Sequence, residues 1–402
     1  MTTLIIGATG NVGRHVTASL ARTDLPVRAL TRNPASAGLP DGVQAYAGDL
    51  TDAESLRDAL DGVDSVFLLW PFRSAEGAAP VIETIAKNAR KVVYLSAFSV
   101  RDDVSPAENG VWGEIEDLIR RSGVEWTFLR AGGFATNTLS WASQIRTGDV
   151  VRAPYAGAQR SLIHEADLAA VAVVALTEAG HTGQSYILTG PATVSQADQV
   201  RIIGETIGRP LRFEEQSAEE ARAQMLAMWG NAEFVDRALA HWASIVTEPE
   251  PVVDTVEQLT GHPARTFADW AADHAADFRS TGDVAEAYVG ALRRGALAET
   301  MPLLAPDMIR VAPLEGVAEV AGLEEIMKNA QRLTADYEIH EVTADGPFLG
   351  DGAGEQFAVK FTFDQTHKPS GVRRSARKLT LYTVQGGRIV REEVAYVDAP
   401  SA

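Results

Sequence analysis

Three glycines near the start of the chain, Gly7, Gly10 and Gly13, are spaced for anion chemistry. They lie in Thr3-Leu4-Ile5-Ile6-Gly7-Ala8-Thr9-Gly10-Asn11-Val12-Gly13-Arg14, where an apolar run leads into the glycines and a helix-like pattern follows. Gly7 permits a tight turn at a strand end. Gly10 lets backbone amides approach a pyrophosphate, and Gly13 lets the next helix pack close, with its N-terminus facing the anion. Gly7, Thr9, Gly10, Asn11, Val12 and Gly13 are therefore the expected diphosphate cradle of a dinucleotide. The competing reading is a glycine-rich turn without a ligand.

Further residues bear on selectivity and proton transfer. The second apolar run ends at Thr31-Arg32-Asn33 without an acid. A carboxylate there would bind a free ribose 2′-hydroxyl, whereas a guanidinium pairs with a 2′-phosphate. Arg32, assisted by Asn33, thus points to NADP(H), with NAD(H) as the alternative; the bland reading is a solvated arginine. Leu69-Trp70-Pro71-Phe72 ends another run. Carboxyl ends of parallel strands line the ligand crevice, so Leu69, Trp70 and Phe72 are candidates to flank a nicotinamide ring, with core packing the rival role. Tyr155 and His164 are candidate proton donors. Imidazole exchanges protons near neutral pH, although a lone histidine is more often structural.

The elements that must position these residues follow from periodicity. Apolar runs at Thr2–Ile6, Pro26–Leu30, Ser65–Leu69, Lys91–Leu95, Trp126–Leu129 and Ser185–Leu188 predict strands. Helical patterns at 12–22, 53–60, 77–88, 113–122 and 165–178 separate them. Buried runs with helical spacers read as a doubly wound parallel sheet covered on both faces. A long helical pattern over 217–245 and another over 266–278 fall outside it and are expected to cap a substrate cleft. The character changes near Arg279-Ser280-Thr281-Gly282-Asp283. Helical patterns at 284–294, 297–304 and 322–329 then precede strand patterns at 335–344, 356–364, 375–385 and 388–396, an α+β arrangement with a curved antiparallel sheet. Gln385-Gly386-Gly387 is a hairpin signal. The expected domains are 1–279 and 284–402.

Composition narrows the class. The chain has 402 residues, 46 % of them hydrophobic, enough core for two or three domains. It has no cysteine, which excludes disulfides, zinc–cysteine sites and thiol nucleophiles. A net charge of −18 repels phosphate backbones and speaks against a nucleic-acid partner. No apolar run approaches the ~20 residues that cross a bilayer, so no membrane partner and a cytoplasmic location are expected. His262 and His274 belong to no metal-binding pattern, and no metal is expected.

The first ~280 residues resemble the NmrA-like, atypical short-chain dehydrogenase/reductase family. The resemblance rests on Gly7-Ala8-Thr9-Gly10-Asn11-Val12-Gly13, Leu30-Thr31-Arg32-Asn33-Pro34, Gly48-Asp49-Leu50, Tyr94-Leu95-Ser96, Ser122-Gly123-Val124-Glu125-Trp126-Thr127-Phe128-Leu129-Arg130, Ile163-His164-Glu165-Ala166-Asp167 and Leu188-Thr189-Gly190-Pro191. It implies a Rossmann domain and an oxidoreductase. It places Asp49, with Leu50, at the adenine, an ordinary helix cap being the rival role for Asp49, and Ser96 and Ala97 beside cofactor or substrate. Many short-chain dehydrogenases use a Ser, Tyr and Lys together. This chain has no lysine between Lys91 and Lys328, so the proton is expected from water or another side chain, with Tyr155 and His164 the candidates and Ser96 placed to hydrogen-bond a carbonyl or the cofactor. A non-catalytic sensor of cofactor redox state is the alternative.

Residues from about Val284 resemble the SnoaL-like polyketide-cyclase group, on Ala287-Tyr288-Val289, Leu303-Leu304-Ala305-Pro306-Asp307, Gly316, Gly322-Leu323-Glu324-Glu325-Ile326 and the terminal strands. That group implies a cone-shaped pocket for an apolar ring compound. His340, Asp364 and His367 are its available acid–base groups. The joint expectation is an NADPH-dependent reductase of a carbonyl, quinone or aromatic polyketide-like intermediate. The C-terminal domain would bind or cyclise that intermediate, carry an isomerase or cyclase activity of its own, or mediate a homodimer.

Overall fold

The computed structural model describes residues 1–315, 317–350 and 354–397. They form two compact units, one of residues 1–138, 152–202 and 213–270, the other of 139–151, 203–212 and 271 onward.

The first unit is built on seven parallel strands: β1 (Thr3–Ile6), β2 (Val27–Thr31), β3 (Gln44–Ala47), β4 (Ser65–Leu68), β5 (Lys91–Ala97), β6 (Glu125–Ala131) and β7 (Gln184–Leu188). Their order is β3-β2-β1-β4-β5-β6-β7. The chain reverses its direction of winding between β1 and β4, which opens the crevice that binds dinucleotides in such sheets. Side chains alternate between two cores, as the period of two requires. On β5 and β6, Val92, Tyr94 and Phe128 face helices α2 (Ala78–Asn88) and α3 (Gly110–Ser122), while Val93, Leu95 and Leu129 face α1 (Gly13–Leu20) and α4 (Glu165–Thr177).

The long helix expected over 217–245 is two helices, α5 (Ala218–Trp229) and α6 (Ala232–Ser244). Gly230 takes a left-handed φ of +68° and ends α5, and the Asn231 side chain accepts the Phe234 N–H to start α6. Their facing residues Ala221, Val235 and Leu239 form a small core with Tyr155, Met225, Trp229 and Trp242 packed on it. The pattern over 266–278 likewise divides, into Phe267–Asp273 and Ala275–Phe278.

The second unit has helices α7 (Thr281–Arg293) and α8 (Leu323–Thr334) and a six-stranded sheet. Its strands are β8 (Leu304–Ala312), β9 (Val317–Ala321), β10 (Tyr337–Leu349), β11 (Gln356–His367), β12 (Val372–Gln385) and β13 (Arg388–Tyr396), in the order β9-β8-β13-β12-β11-β10. Gly386 and Gly387, both at positive φ, make the hairpin between β12 and β13. The exposed edge strand β3 of the first sheet is not among the strands the sequence predicts, and neither are β8 and β9. Pro306 and Asp307 break the strand signal there, and the β8–β13 register shifts between Leu304 and Ile309, around Pro306. Gly316 lies outside the described residues.

Candidate active site

The glycine loop has the geometry of a phosphate cradle. Gly7, at φ +87°, turns the chain at the end of β1, and Gly10 N–H donates to Gly7 O at 2.9 Å. A Cβ at Gly13 would lie 2.0 Å from Gly7 O, so only glycine lets α1 begin this close to the strand. Val12 is buried beneath the loop, while Thr9 and Asn11 are exposed on it. No side chain caps α1 and its first turn holds no acid, so the N–H groups at its start have no side-chain partner of their own. A cradle that a Cβ would fill, at a bare helix N-terminus, fits a dinucleotide diphosphate.

Arg32 and Asn33 stand exposed just past β2. Asp49 follows β3, and its Oδ1 accepts both the N–H and the hydroxyl of Thr51, at 2.9 and 2.8 Å. Those bonds, and after them the Arg32 charge, hold its carboxyl below the ordinary range. The rival reading, a helix cap, belongs instead to Asp52, which accepts the Glu54 N–H at 3.0 Å. Leu50 is buried in the core. Leu69 lies against Gly7 across the crevice end of β1 and β4. Trp70 is buried and donates its indole N–H to Ser74 O at 2.9 Å, with the exposed Phe72 ring edge-on at 5.1 Å. Arg73 donates to Trp229 O at 2.8 Å and lies over the Phe234 ring, tying the loop after β4 to the cap helices.

The three proton-transfer candidates sit in different places. Ser96, on the α3 face of β5, donates to Glu116 Oε1 at 2.7 Å. Glu116 is fully buried and takes Arg130 Nε and Nη2 at 3.0 and 2.8 Å; Arg130 also grips Asp102. Burial disfavours the charged guanidinium, but its bonds to Glu116 and Asp102 outweigh that and hold Arg130 firmly protonated. Ser96 thus belongs to an ionic network beneath the strand end, with Ala97 half-buried above it. His164 is buried and caps α4, its Nδ1 accepting the Ala166 N–H at 3.1 Å, with Glu165 at 3.4 Å. Tyr155 takes a left-handed φ of +59°, a conformation costly for a bulky residue, and its ring packs on the α5–α6 core.

A group that motif reading misses lies near the carboxyl ends of β5 and β6. Glu250, with 1 % of its side chain exposed, accepts from His241 Nε2 at 2.9 Å and from the Ser161 N–H at 2.9 Å, with Arg160 Nε at 3.5 Å. Burial pushes this carboxyl up, but the His241 bond, the Arg160 charge and the Ser161 N–H prevail and hold it below the ordinary range. A Cβ at Gly133 would overlap the Arg160 guanidinium, which lies where a side chain would have been. No spacing could have revealed this set. Glu250 stands in Glu248-Pro249-Glu250-Pro251, which reads as a connector, and His241 is one polar position on an amphipathic helix.

In the second unit, His340 and Asp364 are neighbours on paired strands, and the His340 charge adds to the Arg373 bond that lowers the Asp364 carboxyl, but no hydrogen bond joins His340, Asp364 and His367 to one another among the described residues. His340 pairs with Thr366, His367 with Ser370, and Asp364 with Arg373, all toward the exposed end of the sheet. The polar groups inside the unit are others: buried Tyr382 with partly buried Tyr288, hydroxyls 3.4 Å apart, and buried Glu392 paired with partly buried Arg310 at 3.1 Å. Burial pushes both tyrosines well above the usual phenol range. No cluster of metal-ligating side chains occurs, and no helix is long and apolar enough to cross a membrane, among the described residues.

Known proteins match both parts. An NAD(P)H-binding family model covers residues 7–179, and a SnoaL-like domain model covers 285–392. A (4-alkanoyl-5-oxo-2,5-dihydrofuran-3-yl)methyl phosphate reductase of Streptomyces griseus is 39 % identical, over 68 % of this chain and 98 % of its own. The NAD(P)H azoreductase of Xenophilus azovorans is 37 % identical, over 68 % and 98 %. The crystal structure of an NADPH-dependent quinone oxidoreductase from Escherichia coli superposes with a TM-score of 0.56 and 25 % identity, over 67 % of this chain and 98 % of its own.

Proposed function

The chain belongs to the NAD(P)H-binding, NmrA-like group of atypical short-chain dehydrogenases/reductases, carries a SnoaL-like domain after it, and from that membership we propose that it reduces a carbonyl, quinone or conjugated ring at the expense of NADPH. The observation that carries the reading is the Gly7–Gly13 cradle at the bare N-terminus of α1, at the winding reversal of the sheet. The 39 % identical furanone phosphate reductase and the 37 % identical azoreductase support a small, electron-poor substrate.

Backbone amides from Gly7 to Gly13 would hold the diphosphate, and Arg32 would select the 2′-phosphate. Leu69 and Ala97, at the ends of β4 and β5, bound the floor on which a nicotinamide would lie. The dinucleotide supplies a hydride when bound. The α5–α6 cap is fastened to the loop after β4 by Arg73, which supports a place for these helices beside the bound substrate. The match to a SnoaL-like domain supports a role for the second unit in binding a ring of the same class.

The test is NADPH oxidation, followed by absorbance, with menadione, 1,4-naphthoquinone, methyl red and an aromatic ketone. Turnover of any of these upholds the reading. Tight NADPH binding without oxidation across all four favours the cofactor-sensing alternative.

A further inference from the structure

The hydride needs a proton partner, and the structure supplies one that neither Ser96 nor His164 provides. His241 sits on the last turn of α6 with 38 % of its side chain exposed. Its ring lies 6.3 Å, centroid to centroid, from Phe98, the first residue past β5. Phe98 is itself fixed by its N–H to Ala131 O at 2.9 Å, at the end of β6. The imidazole is therefore held near the carboxyl ends of β5 and β6, the ends at which ligands bind in such sheets.

Glu250 sets the ring's tautomer. An ionised carboxylate can only accept, so His241 Nε2, 2.9 Å from Oε1, carries hydrogen. Nδ1 is then the nitrogen that gains and releases a proton. The carboxylate is locked in turn: its other oxygen accepts Ser161 N–H, and Glu250 N–H donates to Gln159 O at 3.1 Å. A buried acid that orients an imidazole while the opposite nitrogen works is the logic of a catalytic triad without the nucleophile.

We propose that His241, oriented by Glu250, is the acid that protonates the reduced substrate, an inference that rests on the reductase reading above. Once a substrate carbon has accepted a hydride, its oxygen carries the resulting negative charge. The Nδ1–H bond of the imidazolium breaks and an O–H bond forms, so the cation and the oxyanion are both neutralised. Nε2–H stays on Glu250, which remains a carboxylate throughout. Solvent reaches the exposed ring and restores the Nδ1 proton. His241 is the catalytic residue in this step and Glu250 a positioning residue.

The test compares the full chain with H241A, H241Q and E250Q, using 1,4-naphthoquinone or whichever probe the unaltered protein reduces best. Three readouts are taken: kcat with and without added imidazole, NADPH affinity by fluorescence titration, and the imidazole tautomer by nitrogen NMR. General acids contribute roughly 10²–10⁴-fold. H241A and H241Q are expected to lose about 100-fold in kcat on that scale and to keep NADPH affinity within about twofold. Imidazole is expected to restore at least about tenfold of the loss in H241A. In the unaltered protein the His241 signal is expected to show hydrogen on Nε2, and in E250Q that preference is lost along with part of kcat. A kcat within about threefold in both His241 variants, well below what a general acid contributes, overturns the proposal and leaves the reductase reading intact. So does a loss that imidazole does not relieve together with hydrogen on Nδ1 in the unaltered neutral ring. An unaltered protein that binds NADPH but oxidises it with no probe overturns the reductase reading and this step with it.

Discussion

The Cβ that any other residue would bring to Gly13 falls 2.0 Å from the carbonyl oxygen of Gly7. The obstacle is backbone, which cannot rotate away as a long side chain would. G13A must therefore push the start of α1 off the end of β1, at a cost of roughly 1–3 kcal/mol or more. The amides that face the diphosphate move with it. The expected outcome is a lower melting temperature and at least about tenfold weaker NADPH binding by calorimetry, one decade for each ~1.4 kcal/mol of lost interaction. At Gly10 the same Cβ would be 3.2 Å from Gly7 O, so G10A is expected to be the milder of the two.

Arg32 tests cofactor choice. Its side chain is exposed beside Asp49, whose carboxyl it helps keep ionised. A charge-assisted bond to a 2′-phosphate contributes about 1.5–3 kcal/mol. R32A is expected to weaken NADPH binding by roughly 10- to 100-fold on that basis and to leave NADH binding nearly unchanged. The ratio of the two dissociation constants is the measurement. An unchanged ratio would return Arg32 to an ordinary solvated arginine.

Ser96 and Arg130 separate support from chemistry. The Ser96 hydroxyl is given to Glu116, and Glu116 is shared with Arg130 and Arg120. S96A removes one bond of four or so around a buried carboxylate and is expected to cost about 1 kcal/mol in stability. Its kcat is expected to stay within about threefold, a change of less than 1 kcal/mol in the barrier. R130M strips the fully buried Glu116 of its main counter-charge and is expected to cost about 3–5 kcal/mol. Chemical denaturation of the two variants checks the order.

The parallel half was legible where its strands are buried on both faces; the exposed edge strand β3, Gln44–Ala47, carries no such run and is not among the strands the sequence predicts. A run such as Ser65–Leu68, with every residue buried, can hardly be anything else. The Gly7–Gly13 spacing was equally readable, since steric demands on glycine are local. The second sheet was only half visible. Strands β8 and β9 carry Pro306, Asp307 and a register shift, so their alternation is broken even though their backbone is paired. The helical break at Gly230-Asn231 was written in the sequence as a C-cap and N-cap pair, yet apolar residues on both sides masked it. His241 and Glu250 were illegible for another reason. Their meeting depends on how α6 returns toward Ser161 and Phe98, which no spacing encodes.

Tyr155 offers a test of strain. A left-handed backbone costs a bulky residue about 1–2 kcal/mol, here offset by packing on the Ala221, Val235 and Leu239 core. Y155F keeps the ring and removes only the hydroxyl, and kcat is expected within about threefold of the unaltered value, well under a general acid's contribution. Y155G relieves the strain but removes the ring from the cap. It is expected to raise KM for the substrate several-fold while NADPH affinity holds. A large fall in kcat for Y155F would instead make the phenol the proton donor and displace His241.

Glu250 predicts the acid limit of the first unit. Burial alone would raise this carboxyl, but the His241 bond, the Arg160 charge and the Ser161 N–H leave it below its ordinary value of 4.5. A carboxyl whose native pKa is depressed stabilises the fold only while it is ionised. Its contribution is complete above the unfolded value, fades as pH falls from there through the lower native value, and is gone below it. E250Q cannot titrate, so it should be less stable than the unaltered protein at pH 7. The gap should narrow as the pH is lowered through the carboxylate range. Melting temperatures of the two proteins measured side by side from pH 7 down to about pH 3, just below the usual glutamate range, give that difference curve. A gap that stays constant with pH would show that the Glu250 contacts contribute through shape rather than charge.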